Sequence, residues 1–292
     1  MTTFRVGGLE VSRVEDFVDH GVPIKFLLPE LDDETIAQNR PWLAPRFLDV
    51  DSDTVSIHIQ SWLLRTRHRT ILVDTCVGNH KSRHFPPFNQ RANPYLSNLK
   101  AAGVTPEGID MVFCTHLHSD HVGWNTRLDN GRWVPTFPNA RHLFSKADFE
   151  GLDPRGKPPG VHDDANEAFL DSVLPVVEAG LAEFVEGVHE IGEGLTILPA
   201  PGHSPGHCAL RVEASGDSAL FTGDSMHHPM QIAAPRLNSF ACADAELARA
   251  TRVKLLEECC ERHRLLVPGH FAAPHCGRVS HNGQGFQFHA GS

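Results

Sequence analysis

The sequence predicts an α/β fold, and three observations predict it. Short apolar runs of strand length recur along the chain. Four of them lead into a His or an Asp, and helix-patterned segments separate them. In an α/β sheet, the loops just past the carboxyl ends of strands are where sites are built. Taken in order, Phe4 to Val14 with Gly7-Gly8 at its centre predicts a hairpin, and Val55 to Thr66 with Thr70 to Val73 a second strand pair. Asn93 to Ala102 reads as a short helix stopped by Gly103. Gly108 to Thr115 is a buried strand between turn-formers. Asp153 to Gly160 is a loop by composition, and Asp164 to Gly180 is helical. The plainest helix is Asp244 to His263, with Asp244 as cap, Glu246 in the first turn and basic residues near its end.

After the Gly108 strand comes His116-Leu117-His118-Ser119-Asp120-His121. Three imidazoles and a carboxylate in so short a run offer the nitrogen and oxygen donors that suit a borderline divalent ion such as zinc. With 20 histidines in the chain, a solvated loop is the plain alternative. Further donors arrive in the same way. Leu195 to Leu198 leads to Pro201-Gly202-His203, Leu220-Phe221-Thr222-Gly223 leads to Asp224, and Leu265-Leu266-Val267-Pro268-Gly269 leads to His270. Each alone reads as a turn or a helix cap. Four in succession predict a metal site.

These motifs resemble those of the metallo-β-lactamase-fold superfamily of hydrolases. The His-x-His-x-Asp-His signature is carried by His116, His118, Asp120 and His121; the later motifs match His203, Asp224 and His270, and Asp74 in Ile71-Leu72-Val73-Asp74-Thr75 matches the early acidic motif. The likeness spans residues 50 to 275. It implies a four-layer αβ/βα sandwich, here a single domain over 1–292, with residues 151–187 either an insertion covering the active site or a connector. It also implies two divalent ions: His116, His118 and His203 on the first, Asp120, His121 and His270 on the second, and Asp224 bridging. Zinc is expected first, with manganese, iron or cobalt as alternatives. Such a pair would hold a water as hydroxide near neutral pH and present it to a carbonyl or phosphoryl centre. Asp120 is then the candidate catalytic residue, orienting the nucleophile or passing a proton to the leaving group. Asp74 would support a ligand histidine, and His207 either does the same or is structural.

The substrate is less sharply written. Phe85, Phe88, Trp124, Met226, His227, His228 and His275 lie near motifs or on loops, and either line a pocket or pack onto their own scaffold. The run Gly223 to Gln231, with Trp124 and Pro268-Gly269-His270-Phe271, is similar to the branch holding lactonases and methyl-parathion-hydrolase-like enzymes, which implies an ester, lactone or phosphotriester substrate. Acyl-homoserine lactonases usually carry a tyrosine after the second histidine motif, whereas the one tyrosine here is Tyr95. A thioesterase of glyoxalase-II type would want a basic cluster near the C-terminus, which is missing. A flavodiiron oxidoreductase would have Glu at the position of His118. The competing class is a metal-binding sensor without catalysis, but that usually shows as ligand loss, and every ligand position is filled.

Composition agrees with a small-molecule enzyme. The chain has 292 residues, 40% of them hydrophobic, enough for a sizeable core. Its formal charge of -10 disfavours a nucleic-acid backbone as partner. No apolar run is long enough to span a bilayer, and Met1 to Arg5 does not begin a signal segment, so the expectation is a cytoplasmic protein, with a homodimer as the oligomeric option. The cysteines (76, 114, 208, 242, 259, 260, 276) are an odd set without Cys-x-x-Cys spacing and read as reduced thiols.

Overall fold

The strand pairs expected at the N-terminus open the first of two seven-stranded sheets. A computed structural model describes residues 2–156, 164–283 and 285–291. The chain divides into two compact units: one holds the chain up to Phe17 and Ile59–His189, the other Val18–His58 and the chain from Glu190.

The first sheet contains β1 (Thr3–Val6), β2 (Leu9–Pro23), β3 (Thr54–Arg65), β4 (Thr70–Val73) and β5 (Met111–Phe113). After a separate hairpin of β6 (Thr126–Asp129) and β7 (Arg132–Pro135), it is completed by β8 (Arg141–Ser145) and β9 (Ala182–Val185). The strand order is β1-β2-β3-β4-β5-β8-β9. Strands β4, β5, β8 and β9 run parallel, so their carboxyl ends lie side by side. Ile71, Leu72, Val112, Phe113 and Phe144 are fully buried, which is why these strands read as unbroken apolar runs rather than alternating ones.

The second sheet has the order β10 (His189–Gly192), β11 (Leu195–Pro199), β12 (Cys208–Ala214), β13 (Asp217–Gly223), β14 (Leu265–Pro268), β15 (Gly277–His281) and β16 (Phe286–Ala290). Only its central pair, β13 with β14, is recorded as parallel among the pairings with a described register. The Ala245–Arg262 helix supplies the crossover between them. Its Asp244 cap accepts from the Leu247 amide at 3.0 Å, and it ends at His263 in the left-handed region. Leu255, Leu256 and Cys259 of this helix join Leu220, Leu266, Met226 and Phe271 in the unit's core.

One expected helix is interrupted. Asp164–Ala168 and Leu174–Glu178 are α-helical, but Phe169–Val173 between them is a π-turn. Pro175 explains it, because a proline has no amide hydrogen to give the carbonyl four residues back. The Asp171 carbonyl accepts instead from Thr126 Oγ1 at 2.5 Å and Lys81 Nζ at 3.2 Å. Of the expected loop at 153–160, Pro154–Gly156 form a 3₁₀ turn and residues 157–160 lie outside the described residues. All seven cysteines are free thiols, six of them buried. Among the described residues no helix is long and apolar enough to cross a membrane.

Candidate metal centre

In the first unit, three neighbouring parallel strands deliver the donors. Past β4 stands Asp74, in the left-handed region at φ 60°. Past β5 the chain turns through Thr115 to His118 into a single helical turn, Ser119–Val122. Past β8 comes Asp148, fully buried, whose Oδ2 accepts from the Leu117 amide at 3.0 Å and fixes the turn.

The turn gathers its histidines. The His116 ring lies 4.5 Å from that of His118 and 4.1 Å from that of His121. Each buried ring has its Nδ1 engaged: His116 Nδ1 meets Thr115 Oγ1 at 3.1 Å, and His121 Nδ1 meets Asp74 Oδ2 at 3.0 Å. Asp74 also accepts from the Thr115 amide and hydroxyl at 2.7 and 3.0 Å. This one carboxylate therefore orients both rings, His121 directly and His116 through Thr115, and leaves Nε2 as the outward atom. That is the support a metal-ligating imidazole needs. His121 Nε2 stands 3.6 Å from Asp120 Oδ2.

In the second unit the donors follow β11, β13 and β14. The Pro201-Gly202-His203 turn is pressed against the start of the Ala245–Arg262 helix. Gly202 has φ +127°, and a Cβ there would sit 2.3 Å from the Ala248 amide nitrogen, so no other residue fits. Gly269 is needed for a similar reason, since its Cβ would fall 2.9 Å from Asp224 Oδ1. Asp224 is the hub. Its Oδ1 lies 3.0 Å from His270 Nε2, while its Oδ2 faces His203 Nε2 at 3.4 Å and His227 Nε2 at 3.1 Å. His270 Nδ1 is held by the His58 carbonyl at 2.9 Å and His203 Nδ1 faces Cys242 Sγ at 3.9 Å.

These separations fit a metal. Two donors each about 2.0–2.1 Å from one tetrahedral zinc stand about 3.3 Å apart, and the imidazole-to-carboxylate contacts within each unit fall between 3.0 and 3.6 Å. The donor set, imidazoles with carboxylates, is also the borderline one that zinc and its neighbours accept.

His207 has both ring nitrogens engaged within the fold. Its Nδ1 donates to the Ala200 carbonyl at 3.1 Å, and its Nε2 accepts from the Asp224 amide at 3.0 Å. Both nitrogens are used, so it holds the backbone of the hub.

The residues that either line a pocket or pack onto their own scaffold are mostly buried or half-buried in the fold. Trp124 is buried, stacks on Tyr95 at 5.2 Å and donates to Asp16 at 3.3 Å. Met226 is fully buried in the core of the second unit. His228 spends both nitrogens inside the fold, Nε2 on the Phe47 carbonyl at 2.7 Å and Nδ1 on the Met230 amide at 3.1 Å, and burial pushes its pKa down to about 4. His275 is buried with Nδ1 on the Phe271 carbonyl at 2.8 Å. Phe85 and Phe88 are half-buried and pack edge to face at 4.9 Å. His227 alone of the group stands among the donors. Tyr95 is fully buried with its hydroxyl on Ser61 at 2.7 Å, and burial holds that phenol well above its ordinary pKa. Sequence reasoning missed Thr115, Asp148, His58 and Cys242. Thr115 was readable, standing between strand and signature, but the others come from distant segments without a local mark.

Comparison with known proteins agrees with this site. Residues 57–270 match the profile of the Metallo-beta-lactamase superfamily. An N-acyl homoserine lactonase of Bacillus cereus is 25% identical over 231 residues, covering 74% of this chain and 82% of its own. A hydroxyacylglutathione hydrolase of Synechococcus is 32% identical over 135 residues, 46% of this chain and 40% of its own. Among solved structures, the dizinc quorum-quenching lactonase AidC superposes with a TM-score of 0.81 at 20% identity, covering 99% of this chain and 97% of that one. The hydrolase AbOPH of the β-lactamase superfamily gives 0.82 at 23% identity with the same coverage. The fold is the metallo-β-lactamase fold, mixed sheets flanked by helices.

Proposed function

The chain belongs to the metallo-beta-lactamase superfamily and is a hydrolase of that fold, and on this premise we propose that it is a dinuclear metal-dependent hydrolase cleaving an ester or lactone bond of a small molecule. The observation that carries the reading is the posture of Asp224. One oxygen of this buried carboxylate faces His270 and the other faces His203, as a carboxylate bridging two ions requires. In the assignment that the family motifs imply, His116, His118 and His203 would hold one ion and Asp120, His121 and His270 the other. Two bound divalent ions supply a nucleophile from water near neutral pH and polarise a carbonyl.

The protein's own groups do the rest. Asp74 and Thr115 fix the rings of His116 and His121, and His207 fixes the backbone of Asp224. Asp120 is the most exposed carboxylate of the set, its side chain 16% accessible against 3% for Asp224. This exposure supports a role for Asp120 in carrying a proton between the site and solvent. The lactonase names of the relatives support the ester and lactone class. Seven free thiols support a reducing, cytoplasmic setting.

Assays of zinc- and manganese-loaded protein against lactones, aryl esters, thioesters and paraoxon-like triesters test the reading. The expected result is the highest kcat/KM on a lactone or ester. Turnover confined to triesters would move the assignment to phosphotriester hydrolysis, and turnover confined to thioesters to a thioesterase. Failure on every substrate would favour a metal-binding sensor.

A further inference from the structure

We propose that His227 is a further metal donor, so that His203, Asp224 Oδ2 and His227 form a three-donor cation site built wholly within the second unit. The inference rests on the dinuclear reading for the identity of the hub, but adds a residue that the superfamily motifs leave out. The ligand atoms of these three residues lie within 4.8 Å of one another. His227 Nε2 is closer to Asp224 Oδ2, at 3.1 Å, than His203 Nε2 is, at 3.4 Å. Both separations match the edge of about 3.3 Å expected around a tetrahedral zinc ion.

The ring has no other employment. It is 7% exposed, and its buried Nδ1 has no hydrogen-bond partner among the described residues. It lies parallel to the His270 ring at 5.7 Å and 5.0 Å from that of His203, so it shares the donors' space. Its backbone is held as firmly as that of a ligand. Gln231 Oε1 accepts from the His227 amide at 2.7 Å and the His228 amide at 3.3 Å, while Gln231 Nε2 donates to the Leu237 carbonyl at 3.0 Å. Without a group behind Nδ1 to fix the ring, His227 is a displaceable donor, unlike His121 or His270, whose rings are backed.

Cobalt(II) titrated into the metal-free protein, followed by visible absorption and elemental analysis, tests this without reference to activity. Wild type should take up two ions per chain. A variant with His116→Ala and His118→Ala should still bind cobalt at the second unit's three donors, and adding His227→Phe should abolish that uptake. His227→Phe in the otherwise wild-type chain should weaken one ion by at least about tenfold and alter the absorption bands; this arm decides the matter should the double variant not fold. Two ions bound with unchanged affinity and spectrum in His227→Phe would overturn the proposal alone, reducing His227 to a hydrogen-bond donor for Asp224. A wild-type chain that takes up no cobalt would overturn both this proposal and the dinuclear reading.

Discussion

Four groups of the second unit converge on Asp224: the rings of His203, His227 and His270 meet its carboxylate, and His207 accepts its amide hydrogen. His207→Ala removes that acceptor and strands two buried backbone groups, so it should cost about 1–3 kcal/mol of stability for each group left unsatisfied. It should also weaken metal binding by about 10- to 100-fold. Urea denaturation and metal titration read the two effects, and His207→Gln, which keeps an acceptor, should recover part of each. Asp120→Asn should behave differently. The fold does not depend on this half-buried side chain, so stability should hold while kcat falls by about 10²- to 10⁴-fold. Near wild-type turnover on the best substrate would remove Asp120 from the chemistry.

At the scale of elements, the segment 164–178 is tied into the first unit through Asp171. Its carboxylate pairs with Arg83 at 2.7 and 2.9 Å and with Lys81 at 3.4 Å, both cations having fully buried side chains. Asp171→Asn leaves the buried Arg83 guanidinium without a carboxylate, and also removes the partner of Lys81, whose pKa burial pushes down to about 7, and should destabilise the protein by about 3–5 kcal/mol, measured by urea denaturation. The Pro175 break that frees the Asp171 carbonyl was readable from the proline, but not its partners, since Lys81 lies 90 residues away in the chain. The same contrast runs through the site. The strand-then-ligand motifs at His116, His203, Asp224 and His270 were legible because strand, turn and donor are contiguous. The packing partners of the candidate pocket residues were not. Trp124 is claimed by Asp16, 108 residues away, and His228 by the Phe47 carbonyl, 181 residues away, and no local pattern records such partners. Strands β15 and β16 passed unread as well, their alternation too short to stand out.

For the molecule as a whole, stability should fall in acid for a reason separate from the site. His142 on β8 is fully buried, its Nδ1 on the Ala140 carbonyl, and burial pushes its pKa down to about 4 from an ordinary 6.5. The unfolded chain therefore binds a proton that the folded chain refuses between those values. The stabilisation is complete above pH 6.5 and is lost as pH falls towards 4, a change on the order of 3 kcal/mol. His142→Phe should reduce the slope of that part of the pH-stability curve relative to wild type, leaving the share of His228, which burial shifts to the same value; an unchanged curve would show that His142 does not contribute. The central claim is that the chain's His and Asp donors hold two ions on which hydrolysis depends. Elemental analysis of purified protein, with activity followed through chelation and reloading, tests it most directly. The result expected is close to two divalent ions per chain, activity lost with the chelator and restored on reloading; a well-folded, fully active protein holding one ion or none would contradict it.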